Sequence, residues 1–197
     1  DFPSLNSHQD IQTILKNIPF QAQVPQGHYR GGAREAKRRL THFLKHHILN
    51  YHEKRNDAQA EGTSFLSPYL HFGHISAHDI FWKIMKQEKW LPTQVSSQRK
   101  GQREGFWRLS PGVEGFLDQL VVWREIGFNT CSHIDAHDTF GSLPAWSQQT
   151  LLDHSNDFKE YLYTLHQFEN SQTHDDIWNA AQRQLVQEGR MHNYLRM

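Results

Sequence analysis

The sequence predicts an all-α protein, on three observations. Apolar residues recur at three- and four-residue intervals in several segments, Ser-Pro and Thr/Asp signals stand where such segments begin, and no stretch alternates apolar and polar residues long enough for a strand. No internal repeat is visible.

In chain order, residues 1–30 read as a connecting arm. Pro3, Pro19 and Pro25 interrupt any long helix there and leave one short helical piece around Ile11 to Asn17. From Ala33 to Tyr51, the residues Leu40, Phe43, Leu44, Ile48 and Tyr51 form the apolar face of an amphipathic helix with Arg and Lys opposite. A polar loop follows over 52–63. Ser67-Pro68 is a helix start, because Ser can satisfy free backbone donors and Pro is pre-shaped for the first helical position. A second start falls at Ser76, followed by Ile80, Phe81, Ile84 and Met85 on one face. Residues 89–108 read as a basic linker in which Lys89, Arg99, Lys100, Arg103 and Arg108 face only Glu104.

Val113, Phe116, Leu117, Leu120 and Val121 then repeat at helical spacing, predicting a helix over 113–126 that carries Trp123, Arg124 and Glu125 near its end. Shorter helices fit 144–154 and 158–169. The last helix is signalled by Thr173 with Asp176 as a capping pair, by Ile177, Trp178, Ala181, Leu185 and Val186 at helical spacing, and by Gly189 as terminator. The segment after Gly189 has little left to pack against, so the chain reads as cut short at its C-terminal end.

Composition narrows the class. The 197 residues suffice for one domain with a real core, and no apolar run approaches the roughly 20 residues that cross a bilayer. Cys131 is the only cysteine, which excludes an intramolecular disulfide and makes a reducing, cytoplasmic setting the expectation. With 21 basic and 21 acidic residues the chain lacks the overall charge of a general nucleic-acid binder, so any DNA contact must be local. Among the 15 histidines, His71, His74 and His78 could share a helix face, but Gly73 interrupts it and no metal-binding motif accompanies them. No metal site is expected. No Ser-His-Asp or Cys-His spacing supports a hydrolase.

Four stretches carry a family resemblance: SFLSPYLHFG at 64–73, REGFWRLSPGVEGFLDQLVVWREIGFN at 103–129, LPAWSQQTLLDHSNDFKEYLYTLHQFE at 143–169, and THDDIWNAAQRQLVQEGRMHNYLRM at 173–197. In this order they resemble the flavin-binding domain of the photolyase/cryptochrome family, specifically its class II cyclobutane pyrimidine dimer photolyases. The resemblance implies a partial FAD-binding domain over 31–197, ordinarily preceded by an α/β domain, in a lyase that uses light and reduced FAD to split pyrimidine dimers. Its implied partner is damaged DNA with the dimer flipped out of the duplex, with neither a membrane nor a protein partner implied.

Residue by residue, the resemblance assigns the cofactor's phosphate side to Thr63, Ser64, Phe65, Leu66 and Ser67, together with Tyr51 twelve residues upstream of Thr63. By pattern alone that loop is an ordinary helix start. Trp123 takes the place of a wall of the lesion pocket, where aromatic surface offsets the stacking lost on extrusion, with Arg124 beside it. By pattern alone Trp123 is a packed core residue and Arg124 a surface partner of Glu125. Gln119 stands where the family carries an acidic residue that contacts the dimer. It can donate and accept hydrogen bonds but cannot carry charge, so binding is expected to survive better than splitting. Trp178 matches the middle member of the chain of tryptophans that photoreduces the flavin. Asn193, Arg196 and Met197 match positions around the flavin ring and the substrate. The resemblance places the acidic partner of Arg196 and the proximal tryptophan beyond Met197. Asp79, where related sequences carry a basic residue, weakens a DNA contact there. Gln119 and Asp79 also keep open a photosensory or non-repairing relative, and a helical fragment without flavin is the third reading.

Overall fold

A computed structural model describes Gly27 and residues 29–196, all of whose regular elements are helical. The expected helix at 11–17 lies outside the described residues, as does Met197. The chain divides into two compact units, one of residues 29–164 and 192–196, the other of Gly27 and 165–191.

In the larger unit, α1 (Ala33–His46) buries Ala36, Leu40, Phe43 and Leu44. The expected helix to Tyr51 is broken: His47 leaves helical geometry, a 3-10 turn spans Ile48–Asn50, and α2 (Tyr51–Lys54) follows. Ile48 and Tyr51 stay buried, so the apolar face is kept while the backbone tightens. The break lets a later helix come close, since a Cβ on Gly112 would collide with the carbonyl oxygens of Ile48 and Leu49.

Helix α3 (Ser67–His71) starts at Ser67-Pro68 as expected, but not through the expected serine cap. Leu66 occupies the cap position, no side chain caps the helix, and Ser67 is already its first residue. Tyr69, 1 % exposed, donates its hydroxyl to the Arg30 carbonyl at 2.7 Å and accepts from Arg39 at 2.9 Å. Helix α4 (Ala77–Gln87) starts as expected, with the Ser76 hydroxyl accepting the Asp79 N–H at 3.0 Å. Its Phe81 joins an aromatic cluster with Trp90 and Trp107, centroids 5.5–6.4 Å apart. The basic stretch 89–108 is therefore not a free linker. Trp90 donates to the Trp107 carbonyl at 2.8 Å, Ser96 to that of Phe106 at 2.9 Å, and the buried Glu114 carboxylate accepts the backbone N–H groups of Gly105 and Leu109.

A continuous helical run follows: α5 (Pro111–Leu117), a π segment (Asp118–Trp123) and α6 (Arg124–His133). It exceeds the expected 113–126, and it is wound more loosely in the middle. Val113, Phe116, Leu117 and Leu120 seal the core against α1 and α2, with Phe43, Tyr51 and Phe116 forming a ring triad at 4.8–5.7 Å. Beyond Leu120 no residue through Thr164 is fully buried. Helix α7 (Ala145–Asp153) matches expectation, and its Trp146 is 74 % exposed. Residues 158–164 are not helical, so the helix expected over 158–169 is confined to α8 (Leu165–Glu169). Phe158 is 93 % exposed.

In the smaller unit, α9 (Asp176–Glu188) follows α8 and ends on Gly189 in the left-handed conformation. Its cap is Asp175, whose carboxylate accepts the N–H groups of Ile177 and Trp178 at 2.8 and 2.9 Å. Thr173 is instead clasped by the Asn179 amide, through its own N–H, hydroxyl and carbonyl, at 2.7–2.9 Å. A short helix, α10 (Asn193–Arg196), belongs to the larger unit. No helix among the described residues is long and apolar enough to cross a membrane.

Candidate functional site

The densest polar arrangement on the helical run 111–133 is centred on Asp118, whose side chain is 8 % exposed. Its Oδ2 accepts the Gln119 amide N–H and the Trp123 indole N–H, each at 3.0 Å, and lies 3.5 Å from Nε of Arg103. The structure thus ties Gln119 and Trp123 to one carboxylate, that of a residue which sequence reasoning passed over. Trp123 is 58 % exposed, not a core residue. Its apolar ring faces solvent while its one polar atom is held, leaving aromatic surface available for stacking. Arg124 pairs with Glu125 at 2.9 Å and lies over the Phe128 ring at 4.6 Å.

Tyr51 is buried in the core, its ring against that of Phe116 of this run. Burial, opposed by the charge and hydrogen bond of Arg55 and reinforced by the negative charge of Asp118, pushes its hydroxyl above the usual tyrosine range.

The loop 63–67 offers a mixed donor set. Thr63, Ser64 and Phe65 are half-buried and Ser67 exposed, whereas the Leu66 side chain is 1 % exposed in the core, so a ligand contact by Leu66 falls to its backbone. Phe65 has φ 54, an uncommon conformation for a non-glycine residue, and Ser64 accepts the Leu66 N–H at 3.4 Å. Among the described residues, neither the Thr63 nor the Ser67 hydroxyl is taken up by a side-chain hydrogen bond. That chemistry fits an anionic phosphate group, which needs donors.

Asn193 and Arg196 meet at 2.6 Å across one turn of α10. Trp178 lies in the smaller unit, 37 % exposed, with its ring 5.1 Å from that of Phe168. His71, His74 and His78 do not converge on a metal, and no group of three or more potential ligands occurs among the described residues. His74 accepts the Gly32 N–H at 3.1 Å instead.

No family model matches the chain. It is 39 % identical over 157 residues to a deoxyribodipyrimidine photo-lyase of Oryza sativa subsp. japonica, covering 79 % of this chain and 27 % of that protein. It is 34 % identical over 197 residues to one of Methanothermobacter thermautotrophicus, covering 100 % of this chain and 39 % of the relative. One of Potorous tridactylus is 32 % identical over 158 residues, covering 80 % and 26 %. The chain therefore spans about a quarter to two fifths of the length of these curated relatives. In fold it is similar to a crystal structure of a bacterial class III photolyase from Agrobacterium tumefaciens, with TM-score 0.59 at 23 % identity over 86 % of this chain and 30 % of that one. With an all-helical fold shared with a solved photolyase and sequence likeness running through most or all of its length, the chain belongs to the photolyase family, as a segment matching part of its relatives.

Proposed function

We propose that this chain is part of a class II photolyase that binds FAD and splits cyclobutane pyrimidine dimers in damaged DNA with light, acting inside the cell. Residues 31–197 form part of its flavin-binding domain, and 1–30 a connecting arm. The observation that carries the reading is the Asp118, Gln119 and Trp123 cluster. An exposed indole stands beside a hydrogen-bonding amide on one helix, a pairing suited to a base taken out of its stack.

The hydroxyls of Thr63, Ser64 and Ser67 would hold phosphate oxygens. Tyr51, Phe65 and Leu66 would shape the same region, and Asn193 and Arg196 would meet the ring side. Trp178 would relay electrons, Arg124 would steady the DNA, and Met197 would border the substrate. When bound, reduced and excited by light, FAD would supply the electron that opens the dimer. The protein's own part is to orient cofactor and lesion and keep them apart from water.

Blue-light irradiation of the full-length, FAD-loaded protein with a dimer-containing oligonucleotide tests this, read as conversion of dimers to monomers. Repair with dark binding that prefers the lesion supports the reading; neither repair nor lesion preference overturns it. Gln119, which cannot ionise, favours a second reading as a photosensory relative, for which lesion preference would be absent while light-driven flavin reduction persists.

A further inference from the structure

We propose that Asp118 is a positioning residue that fixes both the Trp123 ring and the polarity of the Gln119 amide, so that Gln119 presents its carbonyl oxygen, an acceptor, to the lesion. The inference rests on the reading above for the identity of the ligand, but not for the geometry.

A carboxylate has no proton to give, so the end of Gln119 that faces Asp118 must be its NH2 group, as the 3.0 Å contact from Nε2 has it. The carbonyl oxygen Oε1 is then the end left for a ligand. Gln119 thereby offers the kind of hydrogen-bond partner a carboxylate at the same position would offer, without its charge. The groups that suit it are ring N–H donors such as the imide N3–H of thymine; cytosine, unprotonated at N3, provides none there. The same Oδ2 holds the Trp123 indole N–H at 3.0 Å, which restricts rotation of a side chain otherwise 58 % exposed. Arg103, its Nε 3.5 Å from the same Oδ2, sets a positive charge beside the carboxylate that makes both contacts.

The test compares Asp118→Asn and Asp118→Leu in the full-length protein, with folding monitored by thermal unfolding. Two quantities are read: hydrogen exchange of the Trp123 indole N–H by NMR, assigned with Trp123→Phe, and dark binding of oligonucleotides carrying a thymine dimer or its N3-methylated counterpart. Expected for Asp118→Leu is indole exchange at least about ten-fold faster. Its preference for the unmethylated dimer should fall at least about five-fold, and this loss should not recur when Gln119→Ala is already present. Asp118→Asn, close in shape, keeps an amide oxygen that accepts N–H groups but lacks the carboxylate's charge, so both contacts weaken and it should fall between wild type and Asp118→Leu; if Leu prevents folding, a faster indole exchange in Asn still supports the proposal. Unchanged indole exchange in both variants, or in Asn alone when Leu does not fold, overturns it. A loss of dimer preference that is additive with Gln119→Ala overturns the amide-polarity part. Should the wild-type protein show no lesion preference at all, the photolyase reading fails together with the assignment of the ligand, while indole exchange still decides whether Asp118 positions Trp123.

Discussion

The Oδ2 oxygen of Asp118 accepts the indole N–H of Trp123 at 3.0 Å, across five residues of one helical run. In an α-helix, residues five apart point about 140° away from each other, so this contact depends on the wider turn of the π segment. The ring is anchored at its edge and open on its face. Trp123→Ala should accordingly cost under about 1 kcal/mol of stability, as substitutions of exposed residues do. It should weaken dark binding of a thymine-dimer oligonucleotide by roughly 5- to 150-fold, the worth of about 1–3 kcal/mol of base stacking. Thermal unfolding and fluorescence anisotropy measure the two, and a large stability loss without a binding loss would contradict the assignment.

Gln119→Glu should behave differently from a simple restoration of the acid that the resemblance implies at this position. The new carboxylate would lie about where the Gln119 amide now sits, 3.0 Å from Oδ2 of Asp118, and like charges at that range raise one carboxyl's pKa. A carboxyl whose folded pKa is raised is stabilising below the unfolded value and loses that contribution as pH rises through the folded value. Gln119→Glu should therefore be less stable than wild type at neutral pH, by about 1–2 kcal/mol, and recover toward pH 4. Combining it with Asp118→Asn should remove the penalty. Unfolding curves across pH decide, and the repair yield per photon of the double variant then tests whether charge at 119 aids splitting.

Gly112→Ala should destabilise by about 1–3 kcal/mol, because the added methyl meets the backbone carbonyls of Ile48 and Leu49, which cannot rotate away. Gly127→Ala makes the contrast. It lies within α6 with nothing near its would-be Cβ, and the change should stabilise by about 0.5–1 kcal/mol. Opposite signs in denaturant unfolding are the expected outcome.

Two groups set limits on the pH range. Tyr51 has a folded pKa above its usual 10.0, so the stability it contributes is complete below that value and is lost as pH rises through the folded pKa; Tyr51→Phe should flatten the alkaline limb. His46 is lowered from 6.5 by desolvation and by the neighbouring His42, Lys45 and His47, the imidazoles of His42 and His47 crowding it at the end of α1. Its contribution is complete above 6.5 and is lost as pH falls through the folded value. His46→Gln should reduce the fall in melting temperature between about pH 7 and pH 5.

What the sequence made legible follows its local chemistry. Ser76 announced its helix and Gly189 ended its own, because each acts on backbone groups within a turn of itself. Thr173 with Asp176 missed by one residue: Asp175 also reaches the free N–H groups, and only the fold engages Thr173 with Asn179. Ser67 with Pro68 did mark a helix start, but not through a cap, since the core takes Leu66 at the cap position and leaves Ser67 as the first helical residue. Asp118 could not be found by helical spacing, which pairs it with Val121 and Val122 instead of Trp123. Glu114 was hidden because its partners are backbone N–H groups of a loop, which carry no residue-type signature.

The π segment also makes the chain's length at this point part of its chemistry. Such a segment is an α-helix with one residue too many, and removing any single residue between 119 and 122 would let it relax into regular α geometry. Because five residues in the wider turn carry the chain about as far round as four in an α turn, α6 would keep its faces relative to the core sealed by Leu117. A deletion here would thus shorten the separation of the acid and the tryptophan in sequence while leaving both on one side of the helix, and an aligned relative with one residue fewer in this helix is expected to carry the two four residues apart in place of five.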